Sequence, residues 1–135
     1  MDKVLVKYEN DKSYIKHIES EKEIQTSTAV EYGGDGSSFS STDLLIAALG
    51  NCTLTTIDKI ISRESGDINE IRITLDKKLS DNPKEIKSIS MNIYIPLLKN
   101  DKTEKKINRA IDTCPVHKCL AKGTKINISL EWKPE

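Results

Sequence analysis

Apolar and polar positions along the chain follow two different periods, and the change from one to the other marks the elements. Residues 3–9 (KVLVKYE) alternate Val4, Val6 and Tyr8 with charged neighbours, the period of a strand with one wet face. Asn10-Asp11 supplies a turn, and Tyr14–Glu19 and Glu23–Thr28 continue the alternation more weakly, so this segment reads as a small antiparallel meander. The period then changes. In Ser41–Ile61 (STDLLIAALGNCTLTTIDKII) Leu45, Leu49, Cys52, Thr56 and Ile60 fall on one helical stripe, while Leu44, Ala47, Ala48 and Leu54 cover the other sides. Apolarity on most faces predicts a buried core helix. Its start is marked by Ser40 with Asp43 three residues on, an acidic form of the capping box, and Asp43 also suits the positive end of the helix dipole. Asp58, Lys59, Arg63 and Glu64 mark where the helix surfaces.

Alternation resumes in Ile68–Leu79 and Ile86–Leu97, with Asp81-Asn82-Pro83 between them, which predicts a long hairpin with Ile71, Ile73, Leu75 and Ile89, Met91, Ile93, Ile95 on consistent faces. Asn100–Thr113 is amphipathic, with Ile107, Ala110 and Ile111 inward and Lys105, Lys106 and Arg109 in water. Cys114-Pro115 interrupts it, and Pro115 suits the first turn of a further short helix, Val116–Lys122, ended by Gly123. Thr124–Trp132 is a last alternating strand. Strands, buried helix, strands, helix and strand together predict one α+β domain over residues 1–135.

Composition narrows the function classes. Lysine plus arginine number 21 and so do aspartate plus glutamate, with no long block of like charge, so neither nucleic acid nor an anionic membrane surface is an expected partner. A bilayer span needs about 18 or more consecutive apolar residues. The central run carries Asn51, Cys52 and several threonines, so a soluble core is the expectation. Met1, Asp2 and Lys3 precede no apolar signal core, which makes the cytoplasm the expected location. No phosphate loop, dinucleotide fingerprint, HExxH helix or GxSxG elbow is present, so no cofactor is expected.

The candidate chemistry lies in three cysteines, an odd number that argues against a structural disulfide framework and leaves thiol chemistry or metal binding. Cys52, alone in an apolar helix, reads either as an inert small hydrophobe or as a nucleophile. Cys114 sits at a helix start before proline, where backbone N–H groups favour a thiolate. Cys114, His117 and Cys119 (CPVHKC) also have a spacing compatible with zinc, although no second ligand pair is evident and no metal is the expectation. His117 is expected in solvent or satisfied on its helix, His17 on the wet face of its strand, and Cys119 packed with Pro115 and Leu120. Tyr32–Ser41, rich in glycine and serine around Phe39, is a connector or a loop covering the thiol.

LLIAALGNCT together with RAIDTCPVHKCL resembles the OsmC/Ohr superfamily of thiol peroxidases, the osmotically inducible and organic hydroperoxide resistance proteins, and the AALGNC form resembles one branch of it. The resemblance implies an intertwined homodimer of α+β subunits, with bent antiparallel sheets around a long buried central helix. It also implies Cys52 as the peroxidatic cysteine, Cys114 as the resolving one, a small-molecule peroxide as substrate, and a dithiol reductant of lipoyl type. The family carries a glutamate at the position of Thr42, paired with an arginine from the N-terminal segment. Here Thr42 and its neighbour Asp43 are the auxiliary candidates, and no arginine precedes Arg63. Two alternatives stay open beside a peroxidase: a protein on the same fold that binds a small ligand or senses redox state without catalysis, and a structural dimer with inert thiols.

Overall fold

A pair of residues that accept left-handed backbone sets the first sheet. In the computed structural model, which describes residues 1–135, Asn10 (φ 52°) and Asp11 (φ 63°) form the two-residue turn between β1 (Val4–Glu9) and β2 (Lys12–His17). β3 (Glu23–Thr26) completes an antiparallel β1-β2-β3 sheet, which belongs to the first of two compact units, Met1–Leu45 and Ile46–Glu135.

The register places Val6, Ile15 and Ile24 in one rung, with Val4 opposite His17 on the same face. The other face carries Lys7, whose ammonium lies 3.1 Å from Glu23 and 3.3 Å from Glu9. Glu23 first and Glu9 next hold its pKa above the ordinary lysine range. Two expectations change here. His17 is in solvent as expected but sits on the face of Val4 and Val6, because the turn at Asn10-Asp11 fixes its partner as Val4; its Nδ1 meets Ser20 Oγ at 2.7 Å. The face expected to be covered is also open, with Val6 64% and Tyr8 83% exposed.

The glycine- and serine-rich stretch is tightly turned. Ser27 Oγ donates to the Ser38 carbonyl and accepts from Ser38 N, and Ser38 Oγ donates to the Gln25 carbonyl. Gly33 has positive φ, and a Cβ on Gly34 would overlap the Thr28 carbonyl. The stretch ends in the expected capping box: Asp43 N donates to Ser40 Oγ at 3.1 Å, and Ser40 N to Asp43 Oδ2 at 3.0 Å.

That box starts α1 (Ser41–Arg63). Its buried stripe is Ile46, Leu49, Gly50, Thr53, Ile57 and Ile61, turned about one residue from the expected one; Leu45 is exposed and Cys52 half-buried. A helix apolar on all sides offers no contrast from which to read its orientation. Asp58, expected in water, is half-buried, and its Oδ1 has no hydrogen-bond partner. In length and composition α1 could cross a membrane, yet Leu49, Ile57 and Ile61 are wholly buried within the chain.

The second unit continues with a hairpin of β4 (Arg72–Asp81) and β5 (Lys84–Ile95), interrupted by a register shift at Lys78/Leu79 and turned through a cis Asn82–Pro83 bond. Asn100 caps α2 (Asp101–Thr113) by accepting from Lys102 N and Thr103 N. α3 (Pro115–Ala121) and β6 (Lys125–Trp132) follow. Gly123 is not left-handed; Lys122 ends α3 in right-handed backbone, and Gly123 N donates to the Leu120 carbonyl. β6 runs parallel to β5, so this sheet, ordered β4-β5-β6, is mixed rather than purely antiparallel. Two helices separate the strands, and a crossover of that length returns the chain in the same direction.

Ile89, Met91, Ile93 and Ile95 of the central strand join Leu49, Ile57 and Ile61 of α1 and Ile107 and Ile111 of α2 in one core. A Cβ on Gly50 would meet Leu75 Cδ1 at 2.6 Å, which marks how closely α1 lies on β4. Truncating a core side chain removes its transfer energy and leaves a cavity. Ile107→Ala (0% exposed) is expected to lose about 2–5 kcal/mol. Ile68→Ala (44% exposed) should change stability by about 0.5 kcal/mol or less. Urea unfolding of the two variants checks the contrast.

Candidate functional site

α1 carries Cys52 at the edge of its buried stripe. The thiol-bearing residue is half-buried, flanked by Thr53 at 0% exposure on one side and by exposed Ala48, Asn51 and Thr55 on the other. Threonines around it are satisfied inside the helix. Thr53 Oγ1 donates to the Leu49 carbonyl at 2.8 Å, while Thr55 and Thr56 donate to the Cys52 carbonyl at 3.1 and 2.6 Å. These bonds let hydroxyls occupy a core helix without leaving an unpartnered polar group.

Cys114 is positioned by the break between α2 and α3. It is the last cap of one helix and the first cap of the next, in extended backbone at φ −63° and ψ 121°. Its N–H donates to the Ile111 carbonyl and its own carbonyl accepts from Lys118 N. Pro115 then begins α3 without needing an N–H partner. The side chain is 1% exposed, and its Sγ accepts from His117 N at 3.5 Å.

The two cysteines, 62 residues apart in sequence, are joined sulfur to sulfur with their Cα atoms 6.3 Å apart, inside the range that a disulfide spans. Periodicity alone left open whether the two thiols meet; α1 and the α2–α3 junction bring them together. The pair can hold or release two electrons, and its two residues differ in burial.

The remaining candidates lie elsewhere. Thr42 Oγ1 is 3.3 Å from Ser40 Oγ, and the Asp43 carboxylate takes part in the helix cap, about two and a half turns before Cys52 on α1. Cys119 is exposed and free rather than packed with Pro115 and Leu120, because its position on α3 faces away from the core. Cys114 Sγ is engaged by Cys52, and Cys114, His117 and Cys119 form no cluster able to hold a metal ion. The His117 backbone N–H is a site feature that the side-chain reading missed. A cysteine before proline at a helix start is the signal that points to it.

The OsmC-like protein family matches residues 34–129 of this chain. No curated protein matches it. Among solved structures, one from Psychrobacter arcticus named for osmotic stress induction and detoxification response shares 28% identity at a TM-score of 0.83, covering 98% of this chain and 96% of that one. An organic hydroperoxide resistance protein from Legionella pneumophila shares 15% identity at a TM-score of 0.75, covering 97% and 98%. An OsmC-like protein from Mycoplasma pneumoniae shares 18% identity at 0.75, covering 99% and 100%. The α+β architecture is common to all of them.

Isolation of the protein with the pair intact should leave one thiol per chain reactive toward Ellman's reagent, at Cys119. Reduction under denaturing conditions should raise the count to all three cysteines. Alkylation and peptide mapping of the two samples is the check.

Proposed function

Because this chain belongs to the OsmC-like protein family, we propose that it is a thiol-dependent peroxidase, reducing organic hydroperoxides or hydrogen peroxide in the cytoplasm as part of oxidative-stress defence. One observation carries the reading: Cys52, a half-buried residue, is joined to Cys114, a fully buried one. The likeness to an organic hydroperoxide resistance protein from Legionella pneumophila supports the substrate class. The extent of the likenesses, 98% of this chain in one case, supports treating residues 1–135 as one functional domain.

In this reaction the Cys52 thiolate attacks the terminal peroxide oxygen. The O–O bond breaks, the alkoxide leaves as alcohol after taking a proton, and Cys52 becomes a sulfenic acid. The Cys114 thiolate then attacks Cys52 Sγ, forming the S–S bond and expelling hydroxide, which leaves as water. A dithiol, of lipoyl type in this reading, returns both cysteines to thiols and is itself oxidised to a disulfide. The two residues thus have different tasks, and their unequal access suits them: the peroxide must reach Cys52, whereas Cys114 needs to meet only Cys52.

A homodimer belongs to the same reading. Val4, Val6, Tyr8 and Ile24 lie on one exposed face of the first sheet, and contiguous apolar surface of this kind marks an interaction site. Light scattering should then give twice the chain mass of 15.1 kDa, and Val6→Glu, which charges the middle of that face, should shift the population to monomer.

A second reading is favoured by Thr42, which stands where the family resemblance implies an activating glutamate. Without that carboxylate the same pair serves a redox sensor or a small-ligand binder. Lysines are the only strong cations before Arg63, and lysine lacks the planar fork that holds a carboxylate and a thiolate together. Peroxide consumption with tert-butyl hydroperoxide and excess dithiothreitol separates the two. Sustained turnover that Cys52→Ser abolishes, and that Cys114→Ser retains only through condensation of dithiothreitol with the Cys52 sulfenic acid, is the peroxidase outcome. A single oxidation in the unaltered protein is the sensor outcome, and turnover undiminished in Cys52→Ser removes the peroxidase reading.

A further inference from the structure

We propose that the dithiol which reduces the Cys52–Cys114 pair attacks Cys52 Sγ, so that Cys114 departs as a thiolate and the mixed disulfide forms on Cys52. The inference rests on the pair acting as a redox disulfide, as in the function proposed above, and adds which sulfur meets the reductant and why a dithiol is required.

Thiol–disulfide exchange needs an approach along the S–S axis to the sulfur attacked, and the better leaving group is the sulfur whose anion is more stable. Access selects Cys52. It borders exposed Ala48, Asn51 and Thr55 on α1. Cys114 is 1% exposed, beside the fully buried α2 face of Ile107 and Ile111 and ahead of Val116 and Leu120, which pack against the core. A thiolate aimed at Cys114 Sγ would have to enter that apolar wall, where the desolvation of its charge is costly.

Leaving-group stability selects the same bond polarity. The His117 N–H is directed at Cys114 Sγ, and a hydrogen bond to sulfur strengthens as the sulfur becomes anionic. Cys114 therefore receives the electron pair of the broken S–S bond with a donor already in place. Both criteria assign attack to Cys52 and departure to Cys114.

The balance of the step is complete. One thiolate of the dithiol forms an S–S bond with Cys52 while the Cys52–Cys114 bond breaks and its electron pair goes to Cys114. The second thiol of the reductant, as thiolate, then closes on the first, releasing Cys52 as thiolate and leaving the reductant as a cyclic disulfide. The intermediate has a consequence for reductant class. The Cys114 thiolate remains beside the mixed disulfide and expels any thiol bound to Cys52 by re-forming the original pair. A monothiol must wait for a second molecule and loses this competition. A dithiol carries its second thiol at high effective concentration and wins it.

The test uses Cys119→Ser protein, oxidised with one equivalent of peroxide or, independently of any peroxidase activity, with diamide. Glutathione is added in large excess, which raises the population of the mixed disulfide against its expulsion by Cys114, and the mixture is quenched in acid at early times, alkylated and mapped. Glutathione on Cys52 with alkylated Cys114 is expected; glutathione on Cys114 with alkylated Cys52 overturns the proposal. Exchange after the first attack is removed in a second measurement, in which Cys114→Ser and Cys52→Ser chains are each loaded with thionitrobenzoate. Dithiothreitol should release it from Cys52 about tenfold or more faster than from Cys114, the contrast expected of a half-buried and a fully buried residue. Failure of Cys114 to load at all reads the same burial, and equal release rates overturn the proposal. Failure of peroxide to form the pair, with diamide still giving the Cys52 adduct, rejects the peroxidase function and leaves the site of attack established.

Discussion

The burial of one strand organises the second unit. β5 is hydrogen-bonded on both edges, so its backbone is satisfied without water, and Ile89, Met91, Ile93 and Ile95 all project to one side and are buried there. Burying a side chain of this size contributes about 1.5–3 kcal/mol, and four in a row form one continuous favourable surface set against the entropy of ordering the chain. Only α1 and α2 carry apolar stripes long enough to cover them. Once both helices lie on that face, the middle of α1 and the end of α2 are neighbours, and the two cysteines meet.

Packing also makes the two sulfurs unequal. Cys52 lies on a helix at the boundary between the stripe against the sheet and the side that faces away, and that boundary leaves it half-open. Cys114 lies where a proline stops one helix and starts another, directly after the buried turn of Ile107 and Ile111. The break that directs the chain into α3 also turns the His117 N–H toward sulfur. Helix termination and the donor beside the thiol therefore have one cause, the Cys114-Pro115 dipeptide.

The first unit follows a different logic. Its sheet is held by ladder hydrogen bonds, a left-handed two-residue turn and a lysine between two carboxylates, and none of its residues reaches full burial. An amphipathic sheet of three short strands gains little by itself. Its exposed apolar residues Val4, Val6, Tyr8 and Ile24 lie on one face of that sheet.

Sequence by itself determined the order and type of the strands and α-helices, whereas Ile68–Glu70, expected as the start of a strand, is a 3-10 helix that precedes β4, and a second such turn, Val30–Tyr32, was not legible. Local rules govern the legible elements: alternation for the strands, the Ser40 and Asp43 capping box for α1, Asn100 and Pro115 at the two later helix starts, and Asn10-Asp11 for the first turn. The motifs around Cys52 and Cys114 were equally legible as a family resemblance, and the family match agrees. Three features were decided only by tertiary structure. The buried side of α1 could not be read, since a helix apolar all round has no contrast to orient it. The parallel direction of β6 depended on where α2 and α3 returned the chain to the sheet, which periodicity does not encode. The exposure of Cys119 and the burial of Cys114, five positions away on the same short segment, depended on which side of α3 meets the core. Periodicity states what a side chain prefers, whereas its access to solvent or to a second thiol is set by what the rest of the chain places against it.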